Sequence, residues 1–353
     1  MRLILGLCVV FLTCLASHAI KLQCRDMQNR PVDWFIAYKL PSSPHFIYTD
    51  NATPDWVPSE ASIDDQTSAL GYTLNGLLQT SKNSKNDHVY AVYNDEHPRS
   101  KKTDSYRAHA KGAFAFDDFT GFWLVHSVPG FIDLKSDKYE YPGTGMRFGQ
   151  TFICLSLSVT ALTELGKHLE TLQPSIVGSN MPDSFAKLAP ALARAVGQKR
   201  PSKNLNATIV QGVETLGGAN FKLFSKNRKF HKDLYTDLVA PTLSTPLFVE
   251  SWLNGGAEDL ASDCNSTNKV MNIRSLDLAN RIQFSSAKDH SKWAVSDNPR
   301  KPFVCIGDIN RQKSQFDRGG GTVCFRNATL WRIFRSNVGE VQCCDQKVHT
   351  TCP

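Results

Sequence analysis

Alternating positions give the clearest structural signal in the chain. Over 106–116 one set carries Tyr106, Ala108, Ala110, Gly112, Phe114 and Phe116, and the other Arg107, His109, Lys111, Ala113 and Ala115. Period two predicts a strand. Asp117-Asp118-Phe119-Thr120-Gly121 is turn chemistry, and 122–128 returns as a second strand. That hairpin brings His126 near Gly112. Its register is open by one residue, so His126 shares a face with His109 or lies behind it.

Other strands are expected at 32–39, ended by Pro41, and at 88–93 inside a polar loop over 83–104. More follow at 208–215, 218–225, 246–252 and 283–286. Leu70, Leu74, Leu77 and Leu78 have helical spacing and predict a helix over 65–78. Two further helices are expected at 160–172 and 183–196, the second kinked or shortened by Pro190. The stretch 42–64 is rich in Pro, Ser and Asp and reads as a long loop. Strands and helices interleave throughout, which favours a layered α/β or α+β fold. The polar, basic stretch 198–206 is taken as the boundary between two halves, 20–200 and 201–353.

At 353 residues the chain can bury a sizeable core. Its composition is globular, without heptads or low-complexity tracts. A net charge of +7, before ten His are counted, favours an anionic partner without choosing between nucleic acid and lipid headgroups. Residues 1–19 read as a signal peptide: Arg2, an apolar run from Leu3 to Leu15, and a Ser17-His18-Ala19 cleavage site. The run is too short for a membrane anchor. Its removal takes Cys8 and Cys14 with it, leaving an even set: Cys24, Cys154, Cys264, Cys305, Cys324, Cys343, Cys344 and Cys352. Even cysteines on a secretory route argue for disulfides, and none has zinc-site spacing. Sequons at Asn51, Asn206, Asn265 and Asn327 fit the same route.

The chemistry concentrates in His109-Ala110-Lys111 and His290-Ser291-Lys292, where a His is followed two residues later by a Lys. In a strand, such residues project to one side, about 6–7 Å apart. An imidazole can attack or transfer a proton, and a Lys can hold an anionic oxygen. Two facing pairs suit phosphodiester chemistry without a metal. The second extends to His290-x-Lys292-x4-Asp297; the first has Asp117 one place later. The competing reading is a pair of ordinary exposed strand residues.

His-x-Lys-x4-Asp resembles the phospholipase D superfamily signature, and the surrounding sequence resembles the deoxyribonuclease II family. The matching blocks are Asp33-Trp34-Phe35-Ile36-Ala37-Tyr38-Lys39-Leu40-Pro41, Ala108-His109-Ala110-Lys111-Gly112 and Leu124-Val125-His126-Ser127-Val128-Pro129. Gly149-Gln150-Thr151-Phe152-Ile153-Cys154, Asp289-His290-Ser291-Lys292-Trp293 and Cys305-Ile306-Gly307-Asp308-Ile309-Asn310-Arg311 follow. Ser314-Gln315-Phe316 and Arg318-Gly319-Gly320-Gly321-Thr322-Val323-Cys324 complete the set, which runs from about 24 to 330.

The resemblance implies two phospholipase D-like lobes in pseudo-two-fold arrangement, each giving one His-x-Lys to a shared site. It implies endonucleolytic cleavage of double-stranded DNA at acidic pH, without metal or cofactor, to 3′-phosphates and 5′-hydroxyls. The family setting is lysosomal degradation of DNA, including that of engulfed apoptotic cells. One His would attack phosphorus and the other protonate the leaving oxygen. His109 is taken as the nucleophile and His290 as acid/base, an order that pseudo-symmetry leaves nearly even. Lys111 and Lys292 would stabilise the non-bridging oxygens.

His126 is a site residue or a packed strand His. Asp297 would orient a ligand or a His, and Asp308 and Asn310 would support the site or form turns. Gly319-Gly320-Gly321 would cradle phosphate or form a tight turn, Lys222–Lys232 would track DNA or be solvated surface, and Trp293 would be core or stack a base. The resemblance also implies disulfides Cys24–Cys154, Cys305–Cys324 and Cys264 with Cys343 or Cys344, the remaining one pairing with Cys352. Competing functions are a phospholipase D-like lipid hydrolase, a single-strand exonuclease, and a silent DNA- or glycan-binding homologue. Monomer and homodimer are both compatible with the sequence.

Overall fold

A computed structural model describes residues 22–82, 87–254, 256–279, 281–344 and 351–352. The expected signal peptide lies outside these residues. An eight-stranded sheet contains β1 (Trp34–Lys39), β2 (Phe46–Asp50), β3 (Val57–Pro58), β4 (Val89–Asn94), β5 (Lys111–Phe116), β6 (Thr120–His126), β7 (Gln150–Ser158) and β8 (Ile176–Asn180). Its order is β3-β2-β1-β7-β6-β5-β4-β8. A seven-stranded sheet contains β9 (Thr208–Glu214), β10 (Asn220–Lys226), β11 (Leu247–Glu250), β12 (Val270–Asn272), β15 (Trp293–Ser296), β16 (Phe303–Gly307) and β17 (Gly320–Arg326). Its order is β12-β11-β15-β16-β17-β10-β9. The short pair β13 (Ser275–Leu278) and β14 (Ile282–Ser285) stands apart.

One five-strand antiparallel run occurs in both sheets: β1-β7-β6-β5-β4 in the first and β10-β17-β16-β15-β11 in the second. In each run the strand that follows His-x-Lys is flanked by its hairpin partner on one side and an earlier strand on the other.

Six α-helices are among the described residues: α1 (Ala69–Lys82), α2 (Leu162–Leu172), α3 (Asp183–Leu188), α4 (Pro190–Val196), α5 (Ala240–Leu243) and α6 (Ala328–Ser336). The largest core cluster joins one face of each sheet through the apolar faces of α2 and α6. The other face of the first sheet is covered by α1, and that of the second by the segment from Leu234 to Leu243. Alternate residues of one strand therefore enter different clusters. Trp123 and Val125 of β6 join the shared core, while Phe122 and Leu124 pack towards α1. Burial on both faces explains why these strands read as nearly unbroken apolar runs.

Leu70, Leu74, Leu77 and Leu78 are the buried face of α1, as their spacing predicts. Pro190 divides the expected 183–196 helix, because it opens α4 as a first-turn proline and the chain breaks at Ala189. Asn327 caps α6 by accepting the Thr329 and Leu330 N–H groups at 3.0 and 2.9 Å. Disulfides join Cys24 to Cys154, Cys264 to Cys344, and Cys305 to its cross-strand partner Cys324. Cys343 is also disulfide-bonded; the side chain of Cys352 lies outside the described residues.

The strand expected over 106–116 begins only at Lys111. Asp104 accepts the N–H groups of Tyr106 and Arg107, which turns the chain there. The Ala108 N–H donates to Gln173 and the His109 N–H to Gly319, so the alternation before Lys111 reflects docking outside the sheet. Likewise, His290 and Lys292 precede β15. Both motifs lead into a strand, and of their four residues only Lys111 lies in one, as the first residue of β5.

Candidate active site

Each histidine is held by residues that flank strands of the opposite sheet. The His109 backbone N–H donates to the Gly319 carbonyl at 2.9 Å, and its Nδ1 is 2.9 Å from Gln315 Oε1, 206 residues away. The His290 backbone N–H donates to the Gly149 carbonyl at 2.9 Å, and its Nδ1 is 2.9 Å from the Ser127 carbonyl. The grips match: a glycine carbonyl takes the backbone and an oxygen acceptor takes Nδ1. Ser127 O can only accept, so this contact favours a proton on Nδ1 of His290, which in the neutral ring leaves the lone pair on Nε2. Glycine is required at both contacts. A Cβ at Gly149 would lie 2.2 Å from Asp289 Oδ1, and one at Gly319 would lie 1.9 Å from the Leu172 carbonyl.

Matching supports lie behind these grips. Ser127 Oγ accepts the Thr151 N–H at 3.0 Å, and Asp308 Oδ1 accepts the Gly321 N–H at 2.9 Å. The Gly320–Gly321 stretch is the start of β17, packed against Ile309 and the Phe224 carbonyl. Buried Lys226 donates to the carbonyls of Gln315, Phe316 and Arg318, which fixes the loop that grips His109.

The two surroundings differ in charge. Asp95 is buried against Lys111 in an ion pair, accepts from Arg318 Nη2 at 2.9 Å, and has Oδ2 3.9 Å from His109 Nε2. Burial alone would raise the Asp95 carboxyl, but Lys111, His109 and Arg318 together hold it well below the usual carboxylate range. Beside His290 stands Trp252, with ring centroids 5.1 Å apart. Lys292 Nζ donates to the His290 carbonyl at 2.7 Å and is 3.1 Å from its Nδ1. Beneath, Asp289 accepts from Ser291 Oγ at 2.5 Å and from Tyr38 of the first sheet.

The four motif residues act on one another. Burial first, then Lys111, holds His109 well below its ordinary value, with Asp95 opposing. Burial first, then Lys292, Lys111 and His109, does the same to His290. Lys292 is depressed by burial and next by Lys111. The structure thus gathers two imidazoles and two lysine side chains into one cluster whose members act on one another.

A family sequence profile described as Deoxyribonuclease II matches residues 23–344. The chain belongs to the deoxyribonuclease II family. Among its relatives, cell-death-related nuclease 7 of Caenorhabditis elegans is 38% identical over 337 residues, covering 93% of this chain and 90% of the relative. Deoxyribonuclease-2 of the same organism is 35% identical, covering 88% and 91%. Deoxyribonuclease-2-alpha of Rattus norvegicus is 34% identical, covering 92% and 95%. The protein is therefore a deoxyribonuclease II family hydrolase, with DNA as the substrate the family implies. Its disulfides fit the secretory pathway. Among the described residues no helix is long and apolar enough to cross a membrane.

Other expected site residues fall elsewhere in this deoxyribonuclease II chain. Asp297 is exposed beyond the far end of β15 and pairs with Arg335 at 3.5 Å, so its spacing from His290 does not bring it to the cluster. His126 ends β6, opposite Phe152 of β7 and one step past the Gly112–Val125 pair of the β5–β6 ladder, and its ring is fully buried against Phe131 and Phe152. Its Nδ1 accepts the Val128 N–H, and burial followed by Lys111 holds it well below its ordinary value. Asn310 is buried, with Nδ2 3.5 Å from Gln312 Oε1. Trp293 is core, donating through Nε1 to Tyr38 at 3.3 Å. Lys222, Arg228, Lys229 and Lys232 are exposed. Asp95, Trp252, the gripping roles of Gln315, Ser127 and Gly149, and the Arg318 contact with Asp95 were missed. Only membership of the motif blocks marked four of these six in the sequence.

Proposed function

We propose that this chain is an acid-active, metal-independent endonuclease that hydrolyses double-stranded DNA to 3′-phosphate products through a phosphohistidine. The observation that carries this reading is the reciprocal grip, by which each half holds the other's histidine so that His109, Lys111, His290 and Lys292 share one cluster. The shared five-strand order supports reading the chain as two phospholipase D-like lobes in pseudo-two-fold arrangement, 20–200 and 201–353.

One imidazole Nε2 attacks phosphorus, and the bond to O5′ breaks as the second, protonated imidazole gives its proton to that oxygen. Water then attacks phosphorus as it loses a proton to the second imidazole, and the phosphorus–nitrogen bond breaks with its electron pair returning to Nε2, releasing the 3′-phosphate. Lys111 and Lys292 neutralise charge on the non-bridging oxygens. The surroundings favour His109 as the acid, because Asp95 faces its Nε2 and stabilises the imidazolium. His290, with an Nδ1 proton favoured by the Ser127 carbonyl and Lys292 nearby, is suited to attack as a neutral base. This reverses the order read from the sequence.

Burial and the lysines depress both imidazoles. The acid is therefore protonated only at low pH, which gives an acid optimum and suits DNA breakdown in lysosomes, including that of apoptotic cells. Plasmid incubated with the protein near pH 5 in EDTA tests the reading. Nicking that survives chelation and is lost in both His109→Ala and His290→Ala supports it; nicking abolished by EDTA sinks it.

A further inference from the structure

The matching grips make unlike neighbours conspicuous. Asp95 follows Asn94, the residue opposite Lys111 in the β4–β5 ladder. Trp252 lies two residues past Glu250, which is opposite Trp293, so it holds the same place beside Lys292. Arg318 precedes Gly319, whose carbonyl takes the His109 N–H; Phe148 precedes Gly149, whose carbonyl takes that of His290. The positions filled by a buried Asp95–Arg318 ion pair on one side are filled by Trp252 and Phe148 on the other.

The aromatic pair is built differently from the ion pair. Its ring centroids are 4.6 Å apart at 68°, and Trp252 continues the contact to His290 at 5.1 Å. Exposed Arg147 lies over the Phe148 ring at 4.9 Å. Asp95 and Arg318 are 4% and 9% exposed, whereas Phe148 and Trp252 are only half-buried. One side of the cluster is thus closed by charge, and the other opens onto aromatic surface, with the Arg147 guanidinium over one face of Phe148.

We propose that Phe148 and Trp252, with Arg147, form a stacking site for an unpaired nucleobase of a nucleotide flanking the scissile phosphate. The inference rests on the nuclease reading above. A phosphate at His290 brings its flanking nucleoside within reach of this surface. Every base offers a π-face, so stacking there gives grip without sequence readout, and Arg147 adds attraction for the backbone. A base in an intact duplex is stacked on both faces, so productive binding requires one to leave the stack.

Short single-stranded oligonucleotides with one cleavable linkage, the others being methylphosphonates, test this when either flanking nucleotide is made abasic. At one flanking position the abasic substrate should lose about 5- to 150-fold in kcat/KM with the wild-type protein. Trp252→Ala should slow the intact substrate and erase the intact-to-abasic ratio, and Trp252→Phe should restore part of that ratio. Base-independent cleavage at both positions, or equal slowing of intact and abasic substrates by Trp252→Ala, overturns the stacking site while leaving the nuclease reading intact. A wild-type protein that nicks plasmid near pH 5 in EDTA but cleaves neither oligonucleotide overturns the stacking site alone, and one that does neither overturns both.

Discussion

The surroundings of His109 and His290 share a backbone plan but not a chemistry. Each histidine is held from the opposite half, its backbone N–H by a glycine carbonyl and its ring by an Nδ1 partner. Beyond that grip, His109 faces a buried carboxylate tied to Lys111 and Arg318, while His290 faces Trp252. Duplicate scaffolds can position two identical side chains and still give them different jobs, because protonation follows the neighbours. Both imidazoles are depressed, but His109 alone has a carboxylate opposing that shift, and the proposed acid assignment rests on this difference.

Removing the rings breaks the comparison most severely. His109→Ala and His290→Ala should each lower cleavage of DNA by at least about 10²–10⁴-fold. A 3′-nucleotide p-nitrophenyl ester separates them, since its leaving group needs no proton. His109→Ala should release a burst of p-nitrophenolate, whereas His290→Ala should release none. The reverse pattern would restore His109 as the nucleophile.

Asp95→Asn comes next. It leaves Lys111 and Arg318 buried with one counter-charge fewer, a loss of about 3–5 kcal/mol when a buried pair is broken. Without the carboxylate the His109 imidazolium is less stable, so the alkaline limb of the pH–rate profile should move to lower pH. An unmoved limb would separate Asp95 from the acid.

The smallest effect separates Ser127 from Asp308, which hold matching backbone N–H groups. Burial, opposed by the Gly321 N–H, pushes the Asp308 carboxyl up to about 7. A carboxyl raised on folding contributes stability at low pH that is lost as pH rises through its folded value. Asp308→Asn should therefore match the wild type in Tm near pH 4 and exceed it increasingly towards pH 7. A constant difference across that window would contradict the assignment.

Much of this arrangement is legible in the sequence. Leucine spacing gives α1, Pro190 marks a helix break, and the alternation over 111–116 gives β5. Its extension back to Tyr106 misleads, because Asp104, Gln173 and Gly319 satisfy that backbone without a sheet. Asp297 misleads in the same way: spacing along a chain does not say where a hairpin turns. Asp95 and Trp252 carry no signal, since their roles arise from ladder register and from contacts made only once the two sheets meet. Gln315 is 206 residues from the ring it holds.

The division of labour can be read directly by trapping the intermediate. A single-turnover digest of oligonucleotide labelled at the cleaved phosphate, run near pH 5 in EDTA and quenched in alkaline denaturant, should leave label on the peptide containing His290. Label on the His109 peptide, or product formed with no labelled histidine at any time, would contradict the account.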